Sequence, residues 1–213
     1  LVSDDGARTM NTFLGISQEL MNPDIDPDII KSSKYLYLTG YLWDTESQKK
    51  AVLNALDEAK KNDVKVALSL SDPFCIERHK EDFINLLKGY VTMVFCNQDE
   101  AFTLIDTEIT QKAVEIMSEW TETVALTIGA YGALISHQGE TFYIDPLPVN
   151  VEDTTGAGDA FAAGFLFGMS HDFSPLESGR IGATLASGVI GQTGSRFLGN
   201  SSKLIKEKLG IIL

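Results

Sequence analysis

The chain has 213 residues, of which 44% are hydrophobic and 22% charged, and its mean hydropathy is +0.01; these proportions exclude a disordered or collagen-like chain. Its formal net charge of −13 disfavours binding to nucleic acids and anionic membranes, although a helix N-terminus or a divalent ion still permits a small anionic ligand. No apolar run reaches the roughly 18 residues of a membrane span and no signal peptide is recognisable, so we expect a cytoplasmic protein in which Cys75 and Cys96 are buried free thiols.

The opening of the chain predicts a β-hairpin over residues 1–15, with its turn at Asp4-Asp5-Gly6. A hairpin is an unusual start for a parallel sheet with a buried core. We therefore expect further structure to precede it, and interpret the chain as a fragment of a larger domain.

Three units follow, each with a buried strand and then a helix. The first helix begins with a Thr45–Gln48 capping box and carries an apolar stripe from Ala51 to Ala59. Such repeats predict parallel strands joined by right-handed crossovers, with ligands bound beyond the carboxyl ends of the strands. The predicted strands are Lys34–Gly40, Val64–Leu70 and Val91–Cys96; after the second come a loop through Asp72-Pro73 and a helix near His79–Leu87, and after the third comes helix over about Asn97–Trp120.

The pattern changes after a fourth strand near Val124–Thr127. Residues 132–144 predict a β-hairpin that turns at Gln138-Gly139, and the chain is helical from Gly156 onward. A second helix starts with Ser174-Pro175-Leu176-Glu177, where Ser174 is the N-cap and Glu177 completes a capping box. Small residues recur from Gly179 to Gly188, which predicts close helix packing.

The sharpest chemical signal is the string Asp153-Thr154-Thr155-Gly156-Ala157-Gly158-Asp159. Small residues at 156–158 expose the backbone where a helix begins, so N–H groups and the helix dipole can bind an anion. Asp159 lies in the first helical turn, where it can accept a proton from a hydroxyl as a phosphoryl group arrives. The alternative is an ordinary glycine-rich helix start whose aspartate only complements the dipole.

Two other motifs are ambiguous when taken alone. Asn97-Gln98-Asp99-Glu100 follows a strand and can bind metal and phosphate, or can simply cap a helix. Thr127-Ile128-Gly129-Ala130-Tyr131-Gly132 can approach nucleotide phosphates with its hydroxyl and bare backbone, or can only provide turn geometry for a hairpin.

Together these stretches resemble the PfkB, or ribokinase-like, family of carbohydrate and nucleoside kinases. Asp153–Leu166 resembles the C-terminal signature of the family, Asn97–Glu100 its NxxE motif, and Thr127–Gly132 its nucleotide loop. The opening resembles the lid strands over the acceptor in a form common among adenosine kinase-like members. Three segments carry the likeness to that subgroup: Asp5–Gly15, Gly40–Asp44 and Ser71–Cys75.

The resemblance implies a ribokinase-like three-layer α/β/α fold with a mainly parallel central sheet and a small β lid, only partly present. Residues 1–15 would form part of the lid, and residues 16–213 the nucleotide-binding and catalytic domain. The first strand of the family pattern, an early acidic residue that grips acceptor hydroxyls and an N-terminal Gly-Gly signature are missing from this sequence.

The resemblance also implies site residues. Asp159 would be the catalytic base and touch the acceptor, and Arg8 would reach substrate or phosphate unless it is merely solvated. The amides of Gly156, Ala157 and Gly158 would stabilise the transferring phosphoryl group. The residues that would bind ATP are Thr127, Gly129, Ala130, Gly132 and Asn97.

The resemblance implies two metal sites as well. Glu100 would hold Mg²⁺ through water, and Asp153 and Thr155, with backbone near Val189 and Gly194, are candidates for a monovalent cation such as K⁺.

The expected function is ATP-dependent phosphorylation of a hydroxymethyl group on a sugar or nucleoside, with adenosine kinase-like and fructokinase- or ribokinase-like acceptors both open. The expected partners are small molecules and, through the lid, a second copy of the chain. Two alternatives are a non-catalytic ligand-binding or regulatory protein on the same fold, and a kinase acting on a hydroxymethylpyrimidine or similar ring. The intact Asp159 argues against the first, and the lid hairpin is unexplained by the second.

Overall fold

A computed structural model describes residues 2–3, 9–10 and 12–211 of the chain. Its six described strands form one sheet in the order β1-β2-β3-β4-β5-β6, in which β1 pairs with β2, and β2 with β3, in parallel. The predicted α/β class is confirmed. The strands are β1 Tyr35–Thr39, β2 Lys65–Ser69, β3 Met93–Asn97, β4 Thr123–Thr127, β5 Ala133–His137 and β6 Glu140–Ile144.

Helices connect and follow these strands within the described residues. The α-helices are α1 Pro27–Lys31, α2 Glu46–Lys61, α3 Pro73–Gly89, α4 Gln98–Ile105, α5 Thr110–Ser118, α6 Ala157–Ser170, α7 Pro175–Ile190 and α8 Ser201–Leu209. Short 3₁₀ turns cover Gly15–Glu19, Asn22–Asp24, Gly40–Trp43 and Gly129–Tyr131.

The chain divides into two compact units. The N-terminal unit comprises residues 13–126 and 136–140, and the C-terminal unit comprises residues 1–12, 127–135 and 141–213. The hairpin turn at Gln138-Gly139 has positive φ at both residues, 49° and 86°, as a type I′ turn requires.

The N-terminal unit contains the three predicted strand–helix repeats. The apolar stripe of α2 is buried as predicted, from Ala51 to Ala59. The Thr45 hydroxyl accepts a hydrogen bond from the amide of Gln48 at 3.3 Å, but the Gln48 side chain does not return to the Thr45 backbone. Its Oε1 accepts instead from the Thr45 hydroxyl at 2.8 Å, while its Nε2 donates to the carbonyl of Ser17 at 2.8 Å, so only half of the predicted capping box forms.

The predicted loop through Asp72-Pro73 is wrong, because α3 already begins at Pro73. Asp72 caps the helix: its Oδ1 accepts hydrogen bonds from the amides of Phe74 at 2.7 Å and Cys75 at 3.3 Å. Proline suits the first helical position because its missing N–H would have no partner there. The helix bends at His79, whose φ and ψ of −132° and 28° are not helical.

The C-terminal unit is organised around the close packing of α6 on α7. A Cβ at Gly164 would lie 2.7 Å from Cα of Gly182, so the two backbones approach without room for a side chain at this point. The predicted capping box of α7 is confirmed: the Ser174 hydroxyl accepts from the amide of Glu177 at 3.2 Å, and Glu177 accepts from the amide of Ser174 at 3.0 Å.

Seven of the fifteen residues of the predicted lid hairpin lie outside the described residues: residue 1, residues 4–8 with the turn and Arg8, and residue 11. In the described part the predicted second strand is not seen, because residues 12–14 form no strand and Gly15 begins a 3₁₀ turn. Within the part of the chain that is described, no helix combines the length and the apolar character needed to cross a membrane.

Candidate active site

A cleft of about 570 Å³ opens in the C-terminal unit. It is bounded by the loop after β4, by the segment 146–151, by the start of α6 and by one face of α7. It therefore brings together two motifs that lie about thirty residues apart in the sequence: Thr127, Gly129, Ala130 and Gly132 from the first, and Ala157 and Gly158 from the second.

The loop after β4 is held in a tight turn. The amide of Ile128 donates to the carbonyl of Gly132 at 2.7 Å, and the hydroxyl of Tyr143 on β6 donates to the carbonyl of Tyr131. Gly132 has a φ of 89°, and a Cβ there would lie 2.0 Å from the carbonyl oxygen of Ile144. Only glycine fits this position, and the resulting turn exposes the backbone of the loop to the cleft.

Gly156 sets the geometry at the start of α6. It is the N-cap residue, with a φ of 82°, and a Cβ there would lie 2.5 Å from the carbonyl oxygen of Ser195. The amide of Ala157 donates to the carbonyl of Thr154 at 3.3 Å. Helix geometry gives the next two amides, those of Gly158 and Asp159, no acceptor inside α6. The predicted Ala157 amide is thus already paired, and the better anion donors of the first helical turn are the amide of Gly158, which was predicted, and that of Asp159, which was not.

Asp159 is the third residue of α6 and is exposed. It follows directly on Gly158, which lines the cleft and is also exposed. The positive end of the α6 dipole lies at this turn and favours a bound anion.

Asp153 lies beneath this loop and is buried, with 4% of its surface exposed. Its Oδ1 accepts hydrogen bonds from the amide of Thr155 at 2.9 Å and from the Thr155 hydroxyl at 2.6 Å, and its Oδ2 accepts from the amide of Gly194 at 2.9 Å. Asp153 thus ties the loop before α6 to the loop after α7. The backbone near Val189 was also predicted to contribute to a cation site, and the carbonyl of Val189 accepts a hydrogen bond from the amide of Gln192 at 3.3 Å.

Asn97 and Glu100 belong to the N-terminal unit, where they close a capping box between β3 and α4. Asn97 Oδ1 accepts from the Glu100 amide at 2.9 Å, while the amide and Nδ2 of Asn97 donate to the two Glu100 carboxylate oxygens at 3.1 and 2.8 Å. Asn97 is exposed and Glu100 is 6% exposed. The helix-cap interpretation of the sequence is therefore confirmed as geometry, and it fixes the Glu100 carboxylate at the carboxyl end of a strand.

Several lining residues were not predicted from the sequence. Thr154 lines the cleft between two predicted site residues. The face of α7 that lines it consists of Ala183, Ala186, Ser187 and Ile190, at helical spacings of three, four and seven. That spacing was visible in the sequence, but small residues on a helix indicate packing as readily as a ligand site. Segment 146–151 has no periodic signal.

No cluster of three or more His, Cys, Asp or Glu side chains placed to hold a metal occurs in residues 2–3, 9–10 and 12–211.

The chain matches known proteins along nearly all its length. The sequence model of the pfkB family carbohydrate kinases matches residues 1–202. An uncharacterised sugar kinase from Archaeoglobus fulgidus is 27% identical over 199 residues, which cover 92% of this chain and 76% of that protein.

Two crystal structures are more similar: adenosine kinase from Sinorhizobium meliloti and a probable sugar kinase from Rhizobium etli. Each is 36% identical, with a TM-score of 0.94 over 97% of this chain. The chain spans 64% and 63% of those two chains, respectively.

Proposed function

Because the chain belongs to the pfkB family of carbohydrate kinases, we propose that it transfers the γ-phosphoryl group of ATP to a hydroxymethyl group of a sugar or nucleoside. The observation that carries this proposal is the cleft, since it joins the bare loop after β4 to the start of α6 beside Asp159. A phosphate-binding helix start and a carboxylate in its first turn are what phosphoryl transfer to an alcohol requires.

In the proposed reaction the acceptor hydroxyl gives its proton to the Asp159 carboxylate while its oxygen bonds to the γ-phosphorus. The bond from the γ-phosphorus to the oxygen bridging it to the β-phosphorus breaks, and ADP leaves. The amides of Gly158 and Asp159 donate to the phosphoryl oxygens, assisted by the dipole of α6. Thr127, Gly129, Ala130 and Gly132 hold the nucleotide phosphates.

In this proposal Mg²⁺ is bound mainly by substrate oxygens and water, because it commonly uses only one or two protein carboxylates. Glu100 is our candidate carboxylate, through water, and Asn97 holds it in place. When bound, the ion would offset phosphate charge. A monovalent cation such as K⁺ would use Asp153; three hydrogen bonds already occupy part of its carboxylate, and Thr155 and Gly194 supply them.

The acceptor is a small molecule in this proposal, and both sugar and nucleoside remain candidates. The two solved relatives at 36% identity are named as an adenosine kinase and a probable sugar kinase. We further propose a cytoplasmic protein that does not bind nucleic acid or membranes, consistent with its formal charge of −13. Pairing of two copies through the lid completes the proposal and is tested by the mass of the full-length protein in solution.

The test is ADP release by the full-length protein with Mg·ATP and adenosine, ribose or fructose as acceptor. We expect acceptor-dependent release that falls roughly 10²- to 10⁴-fold in Asp159→Asn, because a positioned general base contributes about that much. The matched control is Asp172→Asn, which removes the same charge from an exposed residue just beyond the other end of α6.

Two results would contradict the proposal. One is acceptor-dependent turnover that Asp159→Asn leaves intact. The other is binding of ATP and an acceptor with no ADP release at all, which would favour a non-catalytic binding protein.

A further inference from the structure

The cleft has an apolar wall built from two segments. One is the stretch from Pro146 to Val151, and the other is the α7 face defined by Ala183, Ala186, Ser187 and Ile190. The Val149 side chain comes within 3.1 Å of the position that a Cβ would take at Gly191, so the first segment packs against the end of α7. A planar aromatic base entering the cleft would meet aliphatic side chains from both.

Few polar side chains reach this space. Among the described residues that line the cleft, none has a charged or a carboxamide side chain. The polar side chains are the hydroxyls of Thr127, Thr154 and Ser187. Thr127 ends β4, and Thr154 precedes α6 by three residues, so both belong to the two phosphate-binding motifs. Ser187 is the one hydroxyl on the α7 face.

The hydrogen-bonding capacity of the wall is reduced further. The Ser187 hydroxyl donates to the carbonyl of Thr184 at 2.8 Å, so towards the cleft it can only accept. The carbonyl of Ile190 already accepts from the amides of Glu152 at 2.8 Å and Asp153 at 3.3 Å. Pro146 and Pro148 have no N–H to offer a base.

From these contacts we infer, on the basis of the proposed function, that the cleft takes purine nucleoside triphosphates with little discrimination between adenine and guanine, which differ at the 6-position and in the 2-amino group of guanine. GTP therefore serves as a phosphoryl donor alongside ATP. A pocket that holds a group by shape and apolar contact rejects a close isostere by only about 10²-fold, whereas a pocket built to hydrogen-bond it reaches 10⁴ to 10⁵. The acceptor oxygen of Ser187 favours the amino group of adenine by about tenfold at most, as one neutral hydrogen bond does.

The first measurement compares kcat/KM for Mg·ATP and Mg·GTP with the full-length protein and a saturating acceptor. We expect the two values to differ by less than about 100-fold. A larger preference for either nucleotide would overturn the inference, because it would require hydrogen bonds to the base beyond those that the side chains of this wall supply.

A substitution in the α7 face tests whether the base of the nucleotide binds there. Ala186→Leu fills the cleft at the α7 face and is expected to raise KM for ATP and GTP alike, by about tenfold or more. Inorganic tripolyphosphate, which has no base, is expected to inhibit the variant as it inhibits the parent. Ala163→Leu is the matched control, since Ala163 is exposed on α6 and does not line the cleft. A rise in KM confined to one nucleotide, or an equal loss of tripolyphosphate inhibition, would overturn the inference.

The inference and the proposed function fail in different ways. Turnover with ATP and rejection of GTP beyond 100-fold would leave the kinase intact and remove only the inference. Absence of turnover with both nucleotides would remove the two together.

Discussion

At the scale of single residues, two positions at the start of α6 require glycine for different reasons. Gly156 has a left-handed φ of 82° and lies against the Ser195 carbonyl, so its lack of a side chain is a condition of the backbone path. Gly158 follows two residues later in helical conformation, and a Cβ there would meet nothing within 4 Å. The first glycine maintains the loop, and the second keeps the space beside the anion-binding amides open.

This difference predicts opposite phenotypes for the same substitution. Gly156→Ala is expected to lower the free energy of unfolding by about 1–3 kcal/mol, because the side chain adds strain and a clash. Gly158→Ala is expected to leave stability unchanged or slightly raised, since alanine favours helix, while lowering kcat/KM through the methyl group beside the phosphate. Urea unfolding and steady-state kinetics on both variants provide the measurement. A stable Gly156→Ala, or a fully active Gly158→Ala, would contradict this account.

Asn97 and Glu100 illustrate how one contact can support two interpretations. Their reciprocal hydrogen bonds are those of an ordinary capping box. The same bonds also hold a carboxylate at the end of a parallel strand, where ligands of such sheets bind. A helix cap and a magnesium-binding role are therefore compatible at Glu100, and the structural role is the one that the geometry establishes.

At the scale of elements, α7 serves two purposes with small residues. One face packs on α6, where Gly182 meets Gly164 and Ser178 meets Gly168. A second face, at Ala183, Ala186 and Ser187, lines the cleft. Small side chains are needed on both faces: on one so that two helix backbones can approach, and on the other so that space remains for a ligand.

Ser178 is buried in the first of these faces, and its hydroxyl has no hydrogen-bond partner among the described residues. Burying an unsatisfied hydroxyl is costly, and alanine is the better helix former. Ser178→Ala is therefore expected to raise the free energy of unfolding by about 1 kcal/mol, seen as a higher urea midpoint at constant slope.

The control is the same substitution at the start of the same helix. Ser174→Ala removes the N-cap and is expected to lower stability by about 1 kcal/mol. Hydrogen bonds from Ser174 lower the pKa of Glu177. A Ser178→Ala variant that loses stability as Ser174→Ala does would mean that the hydroxyl of Ser178 is satisfied in the folded protein.

At the scale of the whole molecule, stability depends on a core that buries both thiols. Within the described residues neither Cys75 nor Cys96 is in a disulfide, and both are buried, as the sequence predicted. Burial, with a smaller contribution from Asp44, raises the pKa of Cys75 from 9.0 to about 11, and burial raises the pKa of Cys96 well above 9.0. The folded protein therefore holds these protons more tightly than the unfolded chain does.

The raised pKa of Cys75 makes the free energy of unfolding depend on pH. The contribution of Cys75 to stability is complete below pH 9 and is lost as the pH rises towards about 11, because only the unfolded chain then releases the proton readily. The free energy of unfolding is expected to fall more steeply across this range in the parent than in Cys75→Ala. Urea titrations at several pH values test this, and parallel curves for the two proteins would contradict it.

The sequence alone determined the α/β class, the order of strands and helices, and the motifs that identify a kinase family, because hydrophobic period, caps and glycine strings are local properties. Local signals also existed where the prediction failed: Asp72 and Pro73 are a cap and a first helical residue, yet the same pair is common in loops. The Thr45–Gln48 capping box was misjudged for another reason, since the Gln48 side chain is held by the Thr45 hydroxyl and by the carbonyl of Ser17, 31 residues away.

Only the tertiary structure decided which residues meet. It joined Thr127–Gly132 to the start of α6, set Ser195 against Gly156, and clamped Asp153 onto Gly194, 41 residues away in sequence. It also separated the small residues of α7 into a packing face and a cleft face. Apolar, uncharged residues such as those of the cleft wall have no distinctive spacing, and their role depends on what lies opposite them in space, which no local pattern encodes.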